Sequence, residues 1–94
     1  MIHAPSARPS DPVRVVVEDV PELVERVRAA ARRAAATARA VELVHPVLTE
    51  GGRHARARVM RRMDEALDVV RSAAPGVEVR VGGPVEIPQP RSAP

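Results

Sequence analysis

The densest chemistry in this chain lies between Gly51 and Arg62, where two glycines precede Arg53, His54, Arg56, Arg58, Arg61 and Arg62. Glycine-exposed amides, a helix start and a row of guanidinium groups are the parts of a phosphate site, so Arg53, Arg56, Arg58, Arg61 and Arg62 form a candidate anion-binding set. Cations at a helix N-terminus oppose the macrodipole, and a bound anion would relieve that conflict. Two other readings use the same residues. Glu42 and Glu50 lie near the turn, Arg61 can reach Glu65 at i+4 and Arg62 the same carboxylate at i+3, which makes an internally paired, solvated face. The acidic surface of a protein partner is the third.

His45, Glu50 and His54 flank the same turn. Two histidines and a carboxylate are a known ligand set, but their spacing matches neither a helical i, i+4 pair nor a finger pattern, so no metal is expected. The hydroxyls available for nucleophilic catalysis are Ser6, Ser10, Ser72, Ser92, Thr37 and Thr49. The serines fall in Pro-rich ends or at a helix end, far from any His with a carboxylate partner, and there is neither a G-x-S-x-G elbow nor a Walker-type loop. Gly51-Gly52 and Gly82-Gly83 read as turns. The expectation is a non-enzymatic protein with no catalytic residue, no cofactor and no small-molecule substrate.

Composition narrows the partners. All 15 basic residues are Arg, against 12 acidic ones, for a formal net charge of +3. The guanidinium fork suits phosphate oxygens, yet the lack of Lys and Asn beside abundant Ala, Val, Pro and Arg is also what a GC-rich coding genome produces. There are no aromatic residues, which removes the stacking platforms that single-stranded nucleic acid needs. With no Cys there is neither a disulfide framework nor thiol chemistry. Met1 to Asp11 lacks an apolar signal-peptide region, and no run approaches a membrane span. A cytoplasmic protein is the default.

The elements that would position these groups are legible from periodicity. Val20, Val24, Val27, Ala31, Ala34, Ala38 and Val41 recur at alternating four and three residues, the seam of a long helix. Asp19 and Glu22, with Pro21 between them, resemble an acidic capping box, so this helix is expected from Val20 to about Val44, where Pro46 stops it. Its length would be roughly 37 Å. After the turn, Val59, Met63 and Val70 share one face of a second helix over about residues 53–73. Residues 13–18 and 77–81 alternate with period two and read as short strands. The expected fold is therefore α+β, a long antiparallel helical hairpin flanked by two short strands (β-α-α-β). Extended Pro-rich arms would occupy residues 1–12 and 83–94, with the domain over 13–82. Val85 and Ile87, in the second arm, could enter pockets on a neighbour.

A strand followed by two helices resembles the ribbon-helix-helix repressors, although the first helix here would be about twice too long. The segment Pro46-Val47-Leu48-Thr49-Glu50-Gly51-Gly52-Arg53 resembles the P-V-x-T-G-R turn of tail-completion and head–tail joining proteins of tailed phages. Here two additional residues interrupt the turn, and a helix follows where that family has strands. This resemblance implies a virion component. A two-stranded ribbon is marginal alone and its edges invite another strand. The expected function is thus an assembly or interaction subunit that oligomerises or docks on a protein partner. Its contact residues would be Val20, Val24, Val27, Ala31, Ala34, Ala38, Val41, Val59, Met63, Val70, Val85 and Ile87. The alternative is a small nucleic-acid-binding or antitoxin-like regulatory protein that uses the Arg-rich second helix.

Overall fold

The computed structural model describes residues 11–47 and 52–85. Five elements follow in order: β1 (Val13–Val16), α1 (Leu23–Thr37), β2 (Val41–Val44), α2 (Gly52–Ala73) and β3 (Val79–Val81). The strands form one parallel sheet in the order β1-β2-β3. This corrects the expected β-α-α-β hairpin: a third strand separates the helices, and no pair of strands in the sheet is antiparallel.

The correction turns on seven residues after α1. The helix ends at Thr37 because Ala38 adopts a left-handed conformation, φ 55° and ψ 45°. The Arg39 amide then donates back to the Ala34 carbonyl at 2.9 Å, the six-to-one bond of a Schellman closure. The Thr37 hydroxyl donates to the Arg33 carbonyl at 2.7 Å and covers another helix-end acceptor. An alanine at positive φ is disfavoured and carries no sequence signal, so the 3.5-residue seam reads straight through it. Val41, Leu43 and Val44 then form a short apolar run that suits a buried parallel strand as well as it suits a helix.

The start of α1 differs from expectation for a related reason. Its N-cap is Glu22, with no side-chain capping bond. The Asp19 carboxylate faces α2 instead, 3.5 Å from Arg58 Nε and 3.4 Å from Arg62 Nε. Val20 and Pro21 therefore belong to the loop, and the Leu23 amide reaches the Val20 carbonyl at 3.2 Å.

Each strand-helix-strand crossover in a parallel sheet is right-handed, so two successive crossovers in one direction put both helices on one face. Accordingly α1 packs on α2, β1 and β2, α2 also reaches β2, and Val15, Val17, Val41 and Leu43 join both helices in one core. Leu23, Val27, Ala31 and Ala34 from α1 meet Met63, Ala66 and Val70 from α2 in that core. The alanines let the helix backbones approach closely, and Ala31 and Ala34 are fully buried.

The β2–β3 ladder pairs Val41 with Val79 and Leu43 with Val81, then resumes one residue out of step with a bridge between Pro46 and Val85. The additional residue on the β3 side is a bulge at Gly82–Pro84. Gly83 has φ +99°, and a Cβ there would lie 3.0 Å from the His45 nitrogen, so this position requires glycine. The bulge lets the Val47 amide reach the Val85 carbonyl at 3.1 Å and the Val85 amide reach the His45 carbonyl at 2.8 Å.

Candidate interaction surface

Strand alternation sends one set of side chains to the helices and the other to the opposite face. On that opposite face Arg14, Glu42 and Arg80 stand side by side, one on each strand, because Arg14 is in register with Glu42 and Glu42 with Arg80. Arg14 Nε donates to Glu42 Oε1 at 2.9 Å. Arg80 Nε donates to Glu78 Oε2, two residues earlier on the same face, at 3.0 Å. The Arg80 hydrogen bond and its positive charge hold the Glu78 carboxyl below its ordinary range, and the same contact raises Arg80. Val16 is half-buried on this face, while Val44, last in β2, is buried. Parallel sheets ordinarily have both faces covered. Here no described helix covers the second one.

Among the described residues the two edges are open as well. The Val13 amide donates to the Ala40 carbonyl and the Val17 amide to the Val44 carbonyl, so the odd residues of β1 turn their backbone groups toward β2. In a parallel ladder the intervening Arg14 and Val16 then direct theirs away from the sheet. Beside them runs a groove of about 600 Å³ between β1 and α1, with Ala29 and Ala30 among its lining and Arg14, Arg26 and Arg33 along it. On the far edge, the Val41 amide donates to the Glu78 carbonyl and the Gly82 amide to the Leu43 carbonyl, which leaves Val79 and Val81 facing outward. Val81 is 59% exposed.

The candidate anion-binding arginines divide into two groups. Arg62 is anchored: one terminal nitrogen donates to Glu65, the other to the Val20 carbonyl, and Nε sits beside Asp19 without hydrogen-bond alignment. Arg58 joins it at Asp19. These two tie α2 to the β1–α1 loop. Arg53, Arg56 and Arg61 are exposed and make no side-chain hydrogen bond or ion pair among the described residues. The proposed Arg61–Glu65 pair is therefore absent there, and Glu65 goes to Arg62.

The candidate contact residues are mostly spent inside the protein. Val27, Ala31, Ala34, Val41, Val59, Met63 and Val70 are buried. Val20 and Val24 are half-buried, and Ala38 is exposed where α1 closes. Val85 pairs with its own chain at Pro46, and Ile87 lies outside the described residues. Both arms lie largely outside them too, as does Glu50. His45 Nδ1 lies 3.1 Å from the Pro46 carbonyl oxygen, while His54 is exposed on α2. Among the described residues no three His or carboxylate groups converge on a metal-sized site.

Periodicity alone does not bring Arg14, Val16, Glu42 and Arg80 to one surface, and it sets Glu42 beside the arginine-rich turn instead. Their signal was present in the alternation of residues 13–18 and 77–81, which puts charge on one face of each strand. The middle strand carrying Glu42 was hidden inside the expected helix, and without it the two arginines had no common surface. Among the described residues no helix is long and apolar enough to cross a membrane. Comparison with family models, with characterised proteins and with solved structures finds no match for this chain.

Proposed function

We propose that this protein is a non-enzymatic interaction subunit that joins a neighbouring chain through its sheet rather than through a helical seam. The observation that carries the reading is a three-stranded parallel sheet that, among the described residues, has helices on one face only and an unpaired strand at each edge. Parallel strands are stable where both faces are covered and edges are blunted. A partner that adds a strand, or lies on the face bearing Arg14, Glu42 and Arg80, would complete the architecture. The phage-like turn is compatible with such an assembly role, in a virion or elsewhere in a cytoplasm.

The test is a mass measurement. Sedimentation equilibrium, detected at the peptide band because the chain has neither Trp nor Tyr, is run on the purified chain and on the native species from its source cell. The expected result is a native complex heavier than the 10.1 kDa chain that persists in roughly half-molar salt, where exposed charge pairs are screened. A 10.1 kDa native species at micromolar concentration would overturn the reading.

One observation favours a second reading, binding to nucleic acid. Arg53, Arg56 and Arg61 are exposed on α2 with their guanidinium groups unengaged among the described residues. Affinity for duplex DNA would then fall steeply with salt and be lost when all three become Gln.

A further inference from the structure

We infer that the outer side of β1 receives an extended acidic segment of a partner protein as a fourth strand, seated in the groove between β1 and α1. The inference rests on the proposed interaction role and names the surface and the chemistry of what it binds.

Three features converge there. The first is the backbone: the amides and carbonyls of Arg14 and Val16 point outward, and among the described residues no backbone bond meets them from that side. Main-chain pairing along such an edge supplies affinity, and pockets for alternate side chains supply selectivity. The second is shape. Ala29 and Ala30 on α1 present methyl groups to the groove where larger residues would fill it, and Val13 and Val16 are only half-buried beside them. The space fits a strand with small or branched apolar residues at alternate positions.

The third is charge. Across the bare face the row reads Arg14, Glu42, Arg80, so a residue placed beyond β1 in register with Arg14 completes the alternation only if it is acidic. Among the described residues Arg14 engages Glu42 through Nε alone, and its terminal nitrogens can receive a second carboxylate. Arg33 stands along the same groove, exposed and with no ion pair among the described residues. Among the described residues Glu18 is the one carboxylate lining the groove, and it already faces Arg26 at 3.4 Å.

The same logic disfavours the chain's own strands as occupants. A second copy that set its own Arg14 or Arg80 against Arg14 would place like charges next to one another, and the carboxylates that another register would bring there, Glu18 or Glu78, already face Arg26 and Arg80. The terminal segments are Pro-rich, and their charged side chains balance, Arg8 with Asp11 in the first and Arg91 with Glu86 in the second. Neither terminal segment is acidic.

The experiment uses the full chain and a synthetic peptide, Val-Glu-Val-Glu-Val-Glu with blocked ends, against its Lys counterpart. Amide exchange and two-dimensional NMR follow the titration. The acidic peptide is expected to protect the Arg14 and Val16 amides, and the Lys peptide is not. Arg33→Glu, on an exposed helix surface, should weaken binding about tenfold with the helical circular dichroism unchanged. Val16→Pro removes an outward amide that an edge strand can lose, and should also abolish protection at Arg14. Equal binding of both peptides, protection confined to β3 or α2, or no binding at all would overturn the inference. So would concentration-dependent protection of Arg14 and Val16 without peptide, since the occupant would then be a second copy. In that last case, or if a native partner still co-sediments while the peptide fails, the broader interaction role stands and only the β1 assignment falls.

Discussion

The two faces of the sheet are built from the same three strands and behave as different materials. Toward the helices, Val15, Val17, Val41 and Leu43 are buried against an Ala-lined seam. Toward the other side, Arg14 and Arg80 stay exposed and the half-buried Glu42 bridges toward Arg14. The first face derives its free energy from removing apolar area from water, at roughly 25 cal/mol per Å². The second gains little from its ion pairs, because solvent screens exposed charges. Apart from Val44, buried at the end of β2, a residue's position on one face or the other thus decides whether replacing it damages the fold or a contact made by the fold.

The largest test of this contrast is Leu43→Ala. Leu43 is fully buried at the centre of the middle strand, and its loss should cost about 2–5 kcal/mol, read by urea unfolding. A cost near zero would mean that the helices do not seal that face.

Glu42→Gln is the counterpart on the bare face, one residue away in sequence. The pair with Arg14, with side-chain exposures of 60% and 23%, and a weaker attraction to the exposed Arg80 are lost. The change in unfolding free energy should therefore stay at or below about 1 kcal/mol. A loss comparable to that of Leu43→Ala would show that the bare face carries structure after all.

The smallest effect concerns pH. Glu78 is held below its ordinary pKa chiefly by the hydrogen bond from Arg80 and then by its charge. Its folded pKa is therefore lower than its unfolded one, and the contribution to stability is complete above the ordinary glutamate range and disappears as pH falls through the lowered value. Carboxyl NMR titration of Glu78 should show a midpoint that rises when Arg80 becomes Gln. An unchanged midpoint would separate Arg80 from Glu78 in solution.

Local pattern was legible where it was not contested. The second helix, expected over about 53–73, is α2 at Gly52–Ala73, and period-two alternation located β1 and β3 to within a few residues. The long first helix failed at Ala38, where a non-glycine residue closes α1 in a left-handed conformation, and at Val41–Val44, whose spacing suits either period. With β2 hidden there, the strands had no common sheet and the Ala ridge had no internal partner, so it looked like a surface awaiting another chain. Of the arginine set, the sequence named the right helix but could not say which members were engaged, because Asp19 reaches Arg58 and Arg62 only after the β1–α1 loop folds over α2.

The amino-acid sequence by itself determined which faces are apolar, which segments prefer helix or strand, and that the basic charge is carried on Arg without Lys, because these follow from side-chain chemistry and short-range periodicity. Tertiary structure decided that the seam is internal, that a third strand joins the other two, and that Arg14, Glu42 and Arg80 share one surface. Those outcomes depend on contacts between residues about thirty to forty positions apart, whose energies outweigh the local cost of turning the chain at an alanine.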